Sequence, residues 1–275
     1  MKKFAKVIIA VLALVCLVGA CFALVACDPD KEKGNDAPQY DGKLIVATNA
    51  AFPPFEMVDE NGNYVGIDMD IAREIGKIIN YEVEIKDMEF DSVITSIETG
   101  VATIGMAGLT MNAERLEQVD FCDPYFEASQ VVIAKKGSAI AAATNEDALI
   151  SALEGKKIGF QIGTVGEYYV RGDEGWGFSG IANAEPTSYQ NGAAAVLALN
   201  NGQIDAIVID KAPAQQFVAN NSDLVALVNI PLTVEEYAFA VAKGDTKTKE
   251  LVNHAMEILK LKGTFDEIVA KYYQG

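Results

Sequence analysis

Histidine and cysteine are scarce in this 275-residue sequence, and their scarcity removes whole classes of chemistry. There is one histidine, His254, and there are four cysteines: Cys16, Cys21, Cys27 and Cys122. Three of the cysteines lie in or at the end of an apolar N-terminal run. The body therefore holds only Cys122 and can build no internal disulfide framework. With no second histidine and no cysteine cluster, nothing supports a zinc site of the usual His/Cys kind. A Ser-His-Asp mechanism would have to run through His254, which lies on an amphipathic C-terminal helix pattern and reads as structural. Cys122 reads as a buried small apolar residue. Positive charge is also short, with 22 Lys and Arg against 39 Asp and Glu and a formal charge of -17. So acidic a surface repels nucleic-acid phosphates and anionic lipid. It does not bear on a small ligand, because one basic residue in a cleft can override the global field locally. Low-complexity tracts are missing as well. Half of the residues are apolar, enough for two lobes of ordinary domain size.

The N-terminus carries Lys2, Lys3 and Lys6, and residues 7–26 are unbroken apolar or small. This is the charged and apolar pattern of an export signal. An uncleaved membrane helix competes, since about 20 apolar residues span a bilayer. Polar residues beginning directly after Cys27 favour the export signal. Leu24-Val25-Ala26-Cys27 resembles the lipobox of bacterial lipoproteins, whose cysteine receives a diacylglyceryl group. Val18-Gly19-Ala20-Cys21 is weaker, because cleavage there would leave residues 22–26 as an apolar end. The expectation is a lipoprotein signal peptide over 1–26, lipidation at Cys27 and a flexible stalk over 27–42. That places the body outside the cytoplasm, anchored to the outer face of the cytoplasmic membrane.

From residue 43 onward, strand and helix patterns alternate. Strands are expected over 43–48, 81–88, 102–107, 118–122, 129–135, 156–161, 182–187, 204–209, 224–228 and 236–242. Helices are expected over 68–79 and 91–99, capped by Asp68 and Asp91, and after Asn112. Further helices are expected from 167 and over 191–200, 211–220, 246–262 and 264–273. Two rounds of alternating β and α predict an α/β chain with two mostly parallel sheets. In open α/β sheets ligands bind beyond the carboxyl ends of the strands. Asn49, Phe90, Gly108, Gly163 and Asp210 all fall just after strand ends, so one shared crevice collects them.

Met106-Ala107-Gly108-Leu109-Thr110-Met111-Asn112-Ala113-Glu114-Arg115 carries the most chemistry. A strand ends, the chain turns on a glycine and a helix begins. Arg115 offers a bidentate fork for a carboxylate. Thr110 and the N–H groups at the helix start add donors. On its own Arg115 would more often pair with Glu114 or Glu117 on a solvated face, but Gly108 and Thr110 ahead of it favour the site. Asp210 can receive an ammonium, or can be a plain helix cap. Gly163-Thr164-Val165-Gly166 offers a second N–H cradle or is only a turn. It is no P-loop, since no Gly-Lys-Ser/Thr follows. Phe52 and Phe90 lie in loops beside Pro53 and Asp91 and suit a pocket wall as well as a core. Trp176 sits in a glycine-rich surface loop without an evident role.

Together these residues are similar to the solute-binding proteins of polar amino-acid ABC importers, solute-binding family 3. The resemblance runs from about residue 43 to the end. It rests on Ala47-Thr48-Asn49-Ala50-Ala51-Phe52-Pro53-Pro54-Phe55-Glu56, Tyr64-Val65-Gly66-Ile67-Asp68-Met69-Asp70-Ile71, Met88-Glu89-Phe90-Asp91, Ala107-Gly108-Leu109-Thr110 with Arg115, Val119-Asp120-Phe121, Gly163-Thr164, Ile204-Asp205-Ala206 with Asp210, and Gly263-Thr264-Phe265. It implies a two-lobed Venus-flytrap fold, each lobe a mostly parallel sheet flanked by helices, joined by a two-segment hinge near Ala128 and Val234. Lobe 1 would be 43–127 plus 236–275 and lobe 2 would be 128–235. Arg115 would clamp a carboxylate beside Ala107, Gly108 and Thr110. Asp210, Gly163, Thr164 and Val165 would close from the other lobe, and Phe52 and Phe90 would sandwich the ligand side chain. Relatives often carry Asp where this chain has Asn49. The neutral Asn49 weakens a lysine or arginine reading and leans toward an uncharged polar amino acid, with Gln161 as a further specificity residue.

The resemblance thus implies a monomeric receptor without cofactor or metal, which presents a free L-amino acid to an ABC permease. Some proteins of this fold are periplasmic dehydratases, but general acid catalysis needs a positioned acid in the cleft. Asp210 is better used as an ammonium counter-charge. A ligand sensor would need a membrane partner, since no second membrane span or signalling module is evident.

Overall fold

The β-branched residues Ile45, Val46 and Thr48 favour extended chain and make Gly42–Thr48 the strand on which the first sheet is built (β1). Leu44 and Val46 point into one apolar cluster, Ile45 and Ala47 into another on the opposite face. The computed structural model describes residues 40–274 except 224. The expected signal peptide, the lipidation site at Cys27 and nearly all of the expected stalk lie outside the described residues. Among the described residues, no helix is long and apolar enough to cross a membrane.

After β1 come β2 (Ala51–Phe52), β3 (Glu56–Val58), β4 (Tyr64–Val65), α1 (Ile67–Ile79) and β5 (Tyr81–Asp87). A 3-10 turn over Phe90–Ser92 leads into α2 (Val93–Glu98), followed by β6 (Ile104–Gly105), α3 (Ala113–Gln118) and β7 (Val119–Phe121). Next are β8 (Phe126–Ala128), β9 (Gln130–Lys135), α4 (Glu146–Leu153), β10 (Lys157–Gln161) and α5 (Val165–Arg171). Then follow β11 (Glu185–Tyr189), α6 (Gly192–Asn200), β12 (Ala206–Asp210), α7 (Lys211–Asn220) and β13 (Val225–Val228). The chain continues through β14 (Glu235–Tyr237), β15 (Ala240–Ala242), α8 (Thr246–Lys262) and α9 (Thr264–Tyr272).

The first sheet has the order β5-β1-β6-β15-β7 and the second β11-β10-β12-β9-β13. In each, three strands run parallel and a fourth, β15 or β9, pairs antiparallel with both its neighbours. Those two strands are the ones that arrive from the direction of the other sheet. β8 precedes β9, β14 precedes β15, and β8 and β14 pair with each other as a separate two-stranded ladder. The all-apolar run in β9 is explained by burial on both faces. Val132 and Ala134 enter one cluster, Val131 and Ile133 another.

Several local expectations change. Asp68 does not cap α1; Gly66 precedes the helix, and the Asp68 carboxylate is turned inward, taking the Tyr125 hydroxyl at 2.7 Å and the Gly108 N–H at 3.2 Å. Asp91 does not cap a helix either, since the 3-10 turn displaces the start to Val93. The single strand expected over 236–242 is two strands in different sheets, because the chain changes hydrogen-bonding partner after Tyr237. The strand expected over 182–187 lies at Glu185–Tyr189, α5 starts two residues early, and β6 is only two residues long. The turn expected at Glu60-Asn61-Gly62-Asn63 between two extended pieces is the connection between β3 and β4, whereas β8 and α4 have no sequence signal. His254 is exposed on α8, 3.9 Å from Glu257, so it packs nothing and the structural role is withdrawn. Cys122 is buried as expected, and burial pushes its thiol up to about 12.

Ile75 on α1 is fully buried in the largest apolar cluster. Ile75→Ala is expected to destabilise the protein by about 2–5 kcal/mol, read from the urea unfolding midpoint.

Candidate functional site

Asn112 starts the construction of the site. Its side chain accepts the Arg115 N–H at 2.8 Å and so caps the short helix α3. That first turn brings the Arg115 guanidinium back over the preceding loop, where Nη1 donates to the Thr110 carbonyl at 2.8 Å. Nη2 donates to the Gly163 carbonyl, from the second sheet, at 3.1 Å. Arg115 is only 8% exposed and forms no ion pair with Glu114 or Glu117. Burial pulls its pKa down, and the nearby Tyr168, Glu235, Asp210 and Glu114 oppose that pull; an arginine so placed stays charged. Gly108 has φ 54°, and a Cβ there would lie 2.9 Å from the Phe52 ring, so both backbone and neighbour require glycine.

Asp210 ends β12 and precedes α7, yet its side chain makes no capping bond. It accepts the Tyr237 hydroxyl at 2.6 Å instead. Burial, and then the carboxylate of Glu235, push its pKa up to about 7, against the lowering effect of the bonds from Tyr237 and Gln130. Glu235 was not foreseen. It is 7% exposed and accepts Thr110 Oγ1 at 2.7 Å, Gln130 Nε2 at 3.1 Å and the Thr233 hydroxyl. Thr-Val-Glu-Glu at a strand start reads as exposed acid, and no local pattern marks one of the two as inward.

At the other end, Gln161 Nε2 donates to Asn49 Oδ1 at 2.8 Å, and Asn49 Nδ2 donates to the Met88 carbonyl at 2.8 Å. The pair joins the ends of β10 and β1 across the cleft between the sheets. The glycine turn differs from an open cradle. The Gly163 N–H donates to Glu167 Oε2 at 2.7 Å, and Thr164 Oγ1 donates to the Gln161 carbonyl at 2.7 Å.

Phe52, Phe90, Gly108, Thr110, Arg115, Gln161, Thr164, Val165 and Asp210 line one small, nearly closed cavity of about 10 Å³. Of the remaining candidates, Asn49 stands one hydrogen bond behind Gln161, and Gly163 supplies its carbonyl to Arg115. The Ala107 side chain lies in the apolar cluster with Val93 and Leu109 rather than on the cavity. Trp176, to which the sequence assigned no role, has its ring 5.3 Å from the Arg115 guanidinium. Among the described residues, no group of His, Cys, Asp and Glu could hold a metal ion. The arrangement is a cation from one sheet and an anion from the other, both buried, with aromatic and amide side chains between.

Residues 44–275 match the sequence profile of the bacterial extracellular solute-binding proteins, family 3. The chain belongs to that family. One family-3 relative, named "Probable histidine-binding protein" in Neisseria gonorrhoeae, is 33% identical over 266 residues, covering 95% of this chain and 93% of its own. The arginine-binding extracellular protein ArtP of Bacillus subtilis is 29% identical, covering 95% of this chain and 98% of its own. An ancestral arginine-binding protein bound to arginine superposes with a TM-score of 0.76 at 36% identity, over 86% of this chain and 100% of that one. A structure of an ancestral arginine-binding protein bound to glutamine is similar, with a TM-score of 0.75 at 37% identity, over 86% of this chain and 99% of that one. The fold of this family-3 chain is the two-lobed α/β one of these binding proteins.

Asp210 is easier to protonate in the fold than in the unfolded chain, so its contribution to stability is greatest at low pH and is lost as pH rises from about 4 to about 7. Asp210→Asn removes that slope. The stability of the unaltered protein relative to the variant is expected to fall across this window and then level off, measured by urea unfolding at each pH.

Proposed function

We propose that this family-3 protein captures one free L-amino acid between its lobes outside the cytoplasm and delivers it to an ABC permease. It is the extracytoplasmic binding component of an amino-acid importer. The observation that carries the reading is the pair Arg115 and Asp210. They are buried opposite charges from different sheets, not paired with each other, and they line the same cavity. Arg115 takes the carboxylate as a fork. Asp210 takes the ammonium, with the Thr110 side of the cavity completing the α-amino acid receptor. Residues 43–127 with 236–275 form one lobe and 128–235 the other. The β8–β14 ladder serves as the hinge, whose closed state the ligand stabilises through contacts with both lobes.

The cavity also has the Phe52 and Phe90 rings and the Gln161 amide, with Asn49 behind it, and Asp210 is the one acid among its lining residues. The relatives' names bring arginine and histidine into range beside the uncharged polar ligand that Asn49 suggested. Arginine, histidine and glutamine share a flat polar end that can stack on a ring and hydrogen-bond an amide. A planar polar side chain is therefore the ligand class. The relatives are named as binding proteins, which supports a receptor that is no enzyme. The dehydratase alternative draws on Asp210, whose carboxyl burial and the Glu235 carboxylate push toward the protonated form that a general acid needs. Turnover of prephenate by the purified protein would establish that alternative.

The receptor acts as a monomer anchored by a lipid on Cys27. Radiolabelled palmitate is expected to label the protein and its Cys21→Ser variant, and Cys27→Ser is expected to lose the label.

Isothermal titration with arginine, histidine, glutamine, lysine and the other common amino acids tests the function, and no heat with any of them sinks it. Arg115→Ala is expected to weaken every ligand at least ~100-fold, since it leaves a carboxylate buried without its partner. Asn49→Asp shifts preference toward basic side chains. Affinity falls as pH is lowered through about 7, because protonating Asp210 removes the charge that holds the ammonium.

A further inference from the structure

Trp176 is the single tryptophan of the chain. Its loop follows α5 and leads toward β11, so it belongs to the second sheet. Its ring lies 5.3 Å from the Arg115 guanidinium, and the Phe90 ring, from the first sheet, lies 5.6 Å away. The indole Nε1–H donates to Glu114 Oε2 at 3.0 Å. The loop thus grips two consecutive residues of α3, one through a ring and the other through an N–H.

On its own side Trp176 is held in place. Asp173 and Phe178 exchange two backbone hydrogen bonds of 2.9 Å each, and Asp173 Oδ1 accepts the Trp176 N–H at 3.1 Å. The indole stacks on Tyr168 with centroids 5.0 Å apart and planes 15° from parallel. These contacts lie within helix α5 and the loop that follows it, on the second sheet's side, and need nothing from the first. The ring is therefore preset, and its contacts with Arg115 and Glu114 exist only when the two sheets' loops meet. Both Arg115 hydrogen bonds go to backbone carbonyls, one of them from each sheet, so a ring beside the guanidinium adds to what fixes its plane.

We propose that Trp176 is a positioning residue and a latch. It crosses the cleft to orient the Arg115 fork and holds the closed lobes through Glu114, so it sets how long a bound amino acid stays. This rests on the amino-acid receptor reading above. A ring that only packs on Tyr168 and Phe178 would affect folding stability and leave release unchanged.

The test uses the full chain in detergent, with L-arginine, L-histidine and L-glutamine as probes, and the unaltered protein is titrated first. Saturating ligand is expected to shift the emission of the single indole. Trp176→Leu is expected to speed release of radiolabelled ligand roughly 10-fold with the association rate constant within about twofold, while the lost stack on Tyr168 lowers the urea midpoint only slightly. Trp176→Phe keeps a ring and loses the bond to Glu114, so its release rate falls between the two. Glu114→Ala should match Trp176→Phe and add nothing to it in the double variant. Unchanged release in Trp176→Leu, an unmoved emission on saturation, or full additivity of Glu114→Ala with Trp176→Phe overturns the latch and leaves the receptor standing. No binding by the unaltered protein sinks both.

Discussion

A buried guanidinium without a carboxylate partner is the constraint on which the rest of the site depends. Taking Arg115 out of water is costly, and an adjacent Glu or Asp would offset that cost but would also occupy the fork. The protein uses neutral groups instead. Two backbone carbonyls accept from it, and two aromatic rings lie about 5 Å from it. The charge is solvated and still open to an anion. Asn112, Gly108 and Phe52 follow from the same need, since they shape the turn that aims α3 at the cleft.

The complementary charge is held in the same manner. Asp210 is left out of helix capping and takes a phenol hydroxyl rather than a cation. Its closest electrostatic company is another carboxylate, Glu235, which raises it further. Both of its neighbours here, Tyr237 and Glu235, sit on β14, the strand that also pairs with β8. Glu235 in turn accepts from Thr110 on the first sheet and Gln130 on the second. The crossing ladder is therefore wired directly to both halves of the receptor. An ammonium entering between Asp210 and Glu235 would relieve their repulsion at the point where the lobes join.

Much of this was legible along the chain. Strand-end positions singled out Gly108 and Asp210, because a turn after a strand is where α/β sheets present side chains, and Gly108 and Thr110 ahead of Arg115 pointed to that residue. Asn112 could be read as a cap, since capping is a contact over three residues. Asp68 could not. Its position before an amphipathic run looks like a cap, while its true partners, Tyr125 and Gly108, lie 57 and 40 residues away. Trp176 looked like loop decoration for the same reason, as its meaning comes from a helix 62 residues earlier.

The sequence by itself determined the family, the α/β rhythm and the chemical type of the receptor, because periodicity, glycine turns and short motifs in a fixed order are encoded within short windows. Only the tertiary structure decided what each charged group does. That Asp210 makes no capping bond, that Arg115 forms no ion pair with Glu114 and that Glu235 faces inward all depend on which groups arrive from the opposite sheet. Those choices are made by burial and by partners distant in sequence, and no window of the chain contains them.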